Sequence, residues 1–269
     1  MNISWIGAGK MTHSFLTGFS SLQNELIHHI STAHPEKLKE WHHKYRFIEH
    51  DNNRDCVKQA DLIILAVKPQ QLKAVLEEIA PAIPSQALIL SLAAAVDLSL
   101  LQTWLKRPLK VGRLMPNTAV SICRGSIAFS VNDHWNDHDI QRTIELFSKV
   151  GTVYHMDESM INPFIASSGS GIAFVYALLE AFTQASIHQG FTPEQASMIT
   201  LETFQAAVMM AEESQTPLPE LISNVCSKGG TTIEGISVLN NADLTRLFDE
   251  TFEATLQKAK ALNDAFKIQ

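Results

Sequence analysis

The sequence has few cysteines, few aromatic residues and little charge. Three cysteines in 269 residues cannot build a disulfide framework, and they do not stand at the spacing of zinc ligands. The longest apolar stretches, such as residues 87–96, are far shorter than the roughly 18–20 residues that a membrane span needs, and the N-terminal segment lacks the basic and apolar regions of a signal peptide. We therefore expect a cytoplasmic protein that uses neither a membrane span nor a metal.

The charge is distributed unevenly along the chain. The net charge of −7 argues against nonspecific binding to nucleic acid, which depends on basic residues. Residues 1–154 carry 16 Lys/Arg and 14 Asp/Glu, whereas residues 155–269 carry 5 and 14. The first part is therefore the better host for an anionic ligand.

Apolar runs alternate with helical patterns in the first part of the chain, and the connections between them are short. The predicted strands cover residues 2–6, 27–31, 61–67, 87–92 and 110–115. Predicted helices follow the glycine turn at residues 7–9 and cover residues 35–45 and 71–79. This alternation is typical of an α/β fold with a doubly wound parallel sheet.

The second part of the chain is helical and unusually apolar. Between residues 169 and 190 the only charged side chain is Glu180, and between residues 196 and 211 it is Glu202. Helices that are apolar on most faces must be covered, either inside a bundle or by another subunit. A further helix is predicted over residues 244–262. We therefore expect an all-α second domain that forms oligomers.

The glycine turn at residues 7–9 (Gly-Ala-Gly) lies between the first predicted strand and the first helix. Without side chains there, backbone N–H groups and the helix N-terminus can approach a pyrophosphate. Thr12 replaces the third glycine of the usual fingerprint, so an ordinary glycine turn is the alternative.

The second predicted strand ends in a polar turn over residues 31–37 (Ser-Thr-Ala-His-Pro-Glu-Lys). NAD-specific sites place an acidic residue directly at this strand end to bind the ribose 2′-OH, and residues 31–34, at the end of the strand, include none. Hydroxyls, a histidine and Lys37 suit a 2′-phosphate instead, so the turn favours NADPH over NADH. The alternative is a polar turn without a ligand.

Four further segments stand where ligands collect in such folds. Residues 66–69 (Ala-Val-Lys-Pro) and 115–118 (Met-Pro-Asn-Thr) follow predicted strands, and residues 168–171 (Ser-Gly-Ser-Gly) open the apolar helix. Residues 227–232 (Ser-Lys-Gly-Gly-Thr-Thr) precede another helix, where the N-terminus can bind a substrate carboxylate. Taken singly, each of these segments could also be a turn or a helix cap.

Together these motifs, with residues 91–94 (Ser-Leu-Ala-Ala) and Asn224, resemble the pyrroline-5-carboxylate reductase family over nearly the whole chain. The resemblance implies a Rossmann-type domain at residues 1–156 and an all-α dimerisation domain at residues 157–269. It implies reduction of Δ1-pyrroline-5-carboxylate to L-proline, the last step of proline biosynthesis, by hydride transfer from NADPH (with NADH as the alternative) to the cyclic imine carbon. It also implies a homodimer through the C-terminal helices, with a decamer as a further assembly.

The same resemblance assigns the site residues. The cofactor would contact Ile6, Gly7, Ala8, Gly9, Lys10, Met11, Thr32, His34, Asn53, Ala66, Val67, Lys68, Pro69, Leu92, Ala93, Ala94 and Asn224. The substrate would contact Glu158, Ser170, Gly230, Thr231 and Thr232. The Thr232 hydroxyl would face the imine nitrogen, which makes it the candidate catalytic group.

Several positions depart from the usual family pattern. They are Lys10, Thr12, Ala95, Ile172, Phe174 and Lys228. None of these changes removes a proposed hydride-transfer group. Two alternatives stay open: a reductase of another cyclic imine, and a catalytically weak paralogue that binds nucleotide for regulation.

Overall fold

A computed structural model describes residues 1–22 and 24–267 of the chain. Two compact units divide it. The Rossmann unit comprises Met1–Ser170 and the C-terminal segment that begins at Ala254, and the helical unit is Gly171–Glu253. The domain boundary at residues 156/157 stays a prediction, and the last two residues of the predicted second domain lie outside the described part.

The Rossmann unit is built on one eight-stranded sheet with the order β3-β2-β1-β4-β5-β6-β7-β8. The strands are β1 Asn2–Ile6, β2 Ile27–Ser31, β3 Ile48–His50, β4 Leu62–Leu65, β5 Leu88–Ser91, β6 Lys110–Pro116, β7 Gly125–Val131 and β8 Gly151–His155. Neighbouring strands are parallel except for β6 and β7, which are antiparallel. The first six strands have the order of a dinucleotide-binding fold, which confirms the predicted fold class.

Helices cover both faces of this sheet. They are α1 Lys10–Gly18, α2 Leu38–Trp41, α3 Asn53–Val57, α4 Pro69–Ile79, α5 Leu98–Leu105, α6 Asp137–Phe147 and α7 Glu158–Phe164. Alternate residues of β4 enter different cores: Ile63 packs with the α4 and α5 side, and Ile64 packs with Phe15 of α1. A strand buried on both faces reads as a continuous apolar run, which is why the sequence revealed it.

The end of the C-terminal helix α12, Leu244–Lys267, packs against the Rossmann unit to which it belongs. Phe266 is buried in the core beside α5, and Asp97, the N-cap of α5, accepts hydrogen bonds from Asn263 at 3.1 Å and Leu100 N at 2.9 Å. Burial opposes ionisation of Asp97, but these bonds, with those from Ser99 and Lys267, outweigh it and hold the pKa of Asp97 at about 2.

The predicted strands are confirmed, with ends that differ by one or two residues. The predicted helix over residues 35–45 was wrong: a 3-10 turn, Pro35–Lys37, leads into the four-residue α2. Leu38 is the only buried residue of that helix, so too little apolar surface holds a longer one in place. The short strand β3, the antiparallel strand β7 and the following β8 were not predicted.

The helical unit consists of α8 Gly171–His188, α9 Pro193–Ser214, α10 Leu218–Val225, α11 Thr231–Asn241 and the first part of α12. Thr192 caps α9 in a capping box with Gln195. Residues 171–253 are all described, and among them only Ala196 and Thr200 are buried. This unit therefore lacks a core of its own within one chain.

One helical stretch, Glu158–His188, is long and apolar enough to cross a membrane by length and composition, with a mean hydropathy of 1.4. The expectation that no segment reaches that length was wrong here. Only 6% of the most apolar window is buried. A helix that another subunit covers has the same composition, so this single stretch is weak evidence for a membrane span.

Candidate functional site

The Rossmann unit has a cleft at the carboxyl ends of β1 and β4, where the strand order reverses. In open α/β sheets ligands bind at such a switch point. A cavity of about 300 Å³ opens there. Nine predicted cofactor residues line it, namely Gly7, Ala8, Gly9, Thr32, His34, Asn53, Ala66, Val67 and Lys68. Gln71 and Val75 also line the cavity but were not predicted. Their i, i+4 spacing places both on one face of α4.

Glycine stands at positions 7 and 9 of the turn for different structural reasons. Gly7 has φ of +110°, and a Cβ there would lie 2.8 Å from the Ala66 carbonyl oxygen, so the fold itself requires glycine. A Cβ at Gly9 would meet only that same oxygen, at 3.8 Å. Internal packing therefore does not require glycine at position 9, whereas a cofactor phosphate close to the backbone would.

The N-terminus of α1 is prepared for an anion. No side chain caps it, and its first turn contains no acidic residue, so its N–H groups remain available to a phosphate. Thr12, which replaces the third glycine, is fully buried, and its hydroxyl donates to the Gly7 carbonyl at 2.8 Å. Thr12 thus stabilises the turn and leaves the N-terminus of α1 uncapped. These features fit a dinucleotide pyrophosphate.

The far end of the cavity is lined by the polar turn after β2. Thr32, His34 and Lys37 line this end, and no described residue of the lining carries a carboxylate, although Glu36 Oε1 lies 3.4 Å from His34 Nδ1. Asn53 is already engaged: its Oδ1 accepts from the Ser31 hydroxyl at 2.9 Å, and its Nδ2 donates to Glu78 at 2.8 Å. A cationic lining without a carboxylate fits a 2′-phosphate better than a free ribose diol.

The remaining predicted cofactor residues of this unit lie around the cavity without lining it. Ile6 ends β1, Lys10 begins α1, Met11 packs on the core, and Pro69 begins α4. Leu92, Ala93 and Ala94 follow β5, the neighbour of β4, and so stand at the same edge of the sheet. The Leu92 amide donates to the Leu65 carbonyl at 3.0 Å, which fixes where this loop begins.

Glu158 begins α7, and two donors hold its carboxylate. Glu158 Oε1 accepts from the Leu98 amide at 2.7 Å and from Nη1 of the buried Arg113 at 3.1 Å. Arg113 was not predicted as a residue of the site, although a cation inside the apolar strand β6 indicates a buried polar contact. Ser170 follows a π-helical turn, Ile165–Gly169, and its amide donates to Ile165. That both residues contact substrate stays a prediction.

The other predicted site residues belong to the helical unit. Asn224 is exposed near the end of α10, and Gly229 has φ of +73°. Gly230 is the N-cap of α11, and no side chain caps this helix. Thr231 and Thr232 are exposed in its first turn, and Thr232 also lines an apolar groove of about 410 Å³. The grouping of these residues with the cavity of the Rossmann unit stays a prediction.

The described residues give little support for a cysteine nucleophile, a catalytic histidine at position 28 or a metal site. Burial raises the pKa of the Cys56 thiol to about 12, which leaves it without a nucleophilic thiolate. Burial, with a smaller effect of the neighbouring His29, lowers the pKa of His28 to about 4, and its ring accepts a hydrogen bond from Trp5. Among residues 1–22 and 24–267, no three His, Cys, Asp or Glu side chains are placed to hold a metal ion.

Comparisons with known proteins agree with this geometry. A family model described as pyrroline-5-carboxylate reductase dimerisation matches residues 158–262, which supports oligomerisation. A second one, described as NADP oxidoreductase, coenzyme F420-dependent, matches residues 2–95.

Individual relatives extend over the whole chain. A pyrroline-5-carboxylate reductase of Aquifex aeolicus is 32% identical over 263 residues, which are 97% of this chain and 97% of that protein. A solved reductase of Coxiella burnetii is 30% identical and covers 97% of this chain and 98% of its own, with a TM-score of 0.89. A solved reductase of Plasmodium falciparum with NADP bound is 24% identical, with coverage of 98% of both chains and a TM-score of 0.88, and bears on the fold alone. This chain belongs to the pyrroline-5-carboxylate reductase family.

Proposed function

We propose that this chain reduces Δ1-pyrroline-5-carboxylate to L-proline. The observation that carries the proposal is the 32% identity over 97% of both chains to a reductase of that name. NADPH, when bound, supplies the hydride, and the protonated cyclic imine accepts it at its carbon. Such a reaction depends mainly on holding the two rings in the right geometry, and it needs no nucleophile or metal from the protein.

The nucleotide cavity supports NADPH as the cofactor. Gly9 and the uncapped N-terminus of α1 would bind the pyrophosphate. Thr32, His34 and Lys37 would surround the 2′-phosphate. Asn53 would contribute indirectly, because the bonds of its amide to Ser31 and Glu78 fix the edge of the pocket.

The start of α11 supports the assignment of the substrate end. A carboxylate is favoured at a helix N-terminus that has free N–H groups, and no side chain competes for those of α11. Gly230 and Thr231 would bind the substrate carboxylate through their backbone, while the Thr232 hydroxyl would face the imine nitrogen. Glu158 and Ser170 would complete the substrate contacts from the Rossmann unit.

The finer organisation also belongs to this proposal. The apolar exposed helices of the helical unit would pair with those of a second copy, giving a homodimer, with a decamer as the larger assembly. The domains would divide at residues 156/157, and the protein would work in the cytoplasm. The match of residues 158–262 to a dimerisation family supports the pairing.

Product analysis tests the activity. Purified protein with NADPH and pyrroline-5-carboxylate should form one proline for each NADPH oxidised. Gly9→Asp is a suitable control, because a Cβ fits at that position while the added carboxylate would repel the pyrophosphate. It should fold normally and show no turnover. NADPH oxidation without proline would overturn the proposal.

A further inference from the structure

Arg113 is a buried cation in the middle of β6. It is 3% exposed, and its guanidinium donates to three different groups. Nη1 donates to Glu158 Oε1 at 3.1 Å, and Nη2 donates to the Ala94 carbonyl at 2.8 Å and to Asn162 Oδ1 at 3.2 Å. Its Nε is buried, and no group in the described residues bonds to it.

These contacts join segments that are otherwise separate. Ala94 belongs to the loop between β5 and α5, and Glu158 and Asn162 lie in the first two turns of α7. Glu158 also accepts from the first amide of α5, at Leu98. The guanidinium thus holds the middle of the loop 92–97 at the Ala94 carbonyl, and Glu158, to which it donates, holds the residue after the loop, Leu98.

Stability alone is a poor explanation for this arrangement. Burial lowers the pKa of Arg113, and only the Glu158 carboxylate and the more distant Asp97 oppose that effect. Apolar side chains of similar volume often replace buried ion pairs without loss of stability. What they cannot reproduce is the planar fork of an arginine, which fixes several acceptors at once in defined directions.

The loop that Arg113 holds contains Leu92, Ala93 and Ala94, which the family resemblance places beside the ribose and nicotinamide of the cofactor. We infer that Arg113 is a positioning residue for hydride transfer, which sets the place of Leu92–Ala94 through the Ala94 carbonyl and through Glu158. The inference rests on the proposed function. A displacement of about 1 Å at such a site can cost on the order of 100-fold in rate.

The chain provides a matched control at the other end of the same strand. Lys110 forms a largely buried ion pair with Asp139 at 2.7 Å, with side chains 16% and 9% exposed, far from the carboxyl edge of the sheet. Lys110→Met removes a buried pair without touching the loop 92–97. Arg113→Met removes the fork, and Arg113→Lys keeps the charge but has a single donor group.

The experiment is single-turnover hydride transfer in stopped flow, in which enzyme loaded with one equivalent of NADPH is mixed with saturating pyrroline-5-carboxylate. The amplitude reports the folded, loaded fraction, and the rate constant reports positioning. We expect the rate constant to fall about 10- to 100-fold in Arg113→Met and about 3- to 30-fold in Arg113→Lys. The Kd of NADPH should stay within about threefold, because the pyrophosphate and ribose contacts lie elsewhere. Lys110→Met should lower the melting temperature and leave the rate constant unchanged.

A normal rate constant with a reduced amplitude in the Arg113 variants would overturn the inference and leave Arg113 a structural residue. If Arg113→Met does not fold, the rate constant of Arg113→Lys decides alone. A wild-type protein that does not reduce pyrroline-5-carboxylate would instead overturn the proposed function. The two failures are therefore distinguishable.

Discussion

The two units of this chain differ in how far their large apolar side chains are buried. In the Rossmann unit, large side chains such as Trp5, Phe15 and Phe129 are fully buried. In the helical unit, Tyr176, Val208 and other large apolar side chains are more than half exposed. The apolar side chains of the first unit are largely buried within one chain. Those of the second unit stay exposed within one chain, as expected of a surface that contacts another molecule.

The division has a functional counterpart. The residues that line the cavity all belong to the Rossmann unit, whereas Thr232 lies on a unit that buries almost nothing by itself. Cofactor binding should therefore depend mainly on the first unit, with Asn224 as the one predicted contact from the second, and substrate turnover on both. The predictions below test this separation, beginning with the largest expected effect.

A charge on the exposed apolar face of the helical unit should break the oligomer. Val208 on α9 is 59% exposed, and Val208→Asp would bury an unpaired carboxylate in the proposed interface. The cost of about 3–5 kcal/mol corresponds to a rise of at least about 100-fold in the dimer Kd. Light scattering over a range of protein concentrations measures this change.

The same change on the Rossmann unit is the control. Ile122 is 71% exposed there, and Ile122→Asp should leave the molecular mass unchanged. If both variants keep the mass of the wild type, the exposed helices do not form the interface. Loss of mass in Ile122→Asp would contradict the contrast between the units.

The core of the Rossmann unit should respond to pH through His28. Its pKa is lowered from 6.5 to about 4 by burial, so the folded state keeps the ring neutral while the unfolded chain binds a proton below pH 6.5. The stability that His28 contributes is complete above pH 6.5 and is lost as the pH falls toward 4. The expected loss in the free energy of unfolding is about 3 kcal/mol, measured by urea unfolding at pH 7 and pH 4.

His28→Gln separates this effect from other titrations. Its side-chain carbonyl can still accept the Trp5 Nε1–H bond that His28 Nδ1 accepts at 3.1 Å, but it does not titrate. The variant should therefore lose much less stability between pH 7 and pH 4. An identical pH dependence in both proteins would show that the buried ring is not responsible.

Thr232→Ala should damage catalysis without damaging the fold. The loss of one hydrogen bond to a charged partner should cost about 1.5–3 kcal/mol, or about 10- to 150-fold in kcat/KM for pyrroline-5-carboxylate. NADPH affinity should be nearly unchanged. Steady-state kinetics and thermal melting of the same variant measure both quantities.

Ser237→Ala removes from the same helix a hydroxyl whose one hydrogen bond among the described residues goes to the Ile233 carbonyl at 2.9 Å. It should leave kcat/KM unchanged. A helix-cap role for Thr232 would instead lower stability by about 1 kcal/mol with normal kinetics. That result would remove Thr232 from the site.

The smallest expected effect concerns cofactor choice. Lys37 lines the end of the cavity proposed for the 2′-phosphate, and the wild type should show a higher kcat/KM with NADPH than with NADH. Lys37→Ala should lower the NADPH value about tenfold, which is about 1.4 kcal/mol, and leave the NADH value unchanged. A wild-type ratio near one would contradict the assignment and make the turn merely polar.

Local patterns predicted five of the eight strands because β1, β2, β4, β5 and β6 are mostly buried on both faces. The apolar run at β4 is of this kind. The predicted helix at residues 35–45 failed because its length depends on packing, and only Leu38 is buried there. The strand β7 was missed because its pairing with β6 depends on contacts that its own sequence does not reveal.

The candidate site was predictable to a similar degree. Motifs at strand ends identified most of the cavity, because the carboxyl edge of a parallel sheet collects ligands. Gln71 and Val75 lay outside any motif, and Arg113 acts through contacts across three segments. The role assigned to Thr232 rests on the family resemblance, because its side chain is exposed in the single chain.

The central claim is that the substrate is the five-membered cyclic imine. The most direct measurement is kcat/KM for NADPH oxidation with pyrroline-5-carboxylate, compared with its six-membered homologue. We expect the five-membered substrate to be preferred at least about tenfold, as one methylene in a close-fitting site typically discriminates. Preference for the six-membered ring, or no oxidation with either, would contradict the assignment.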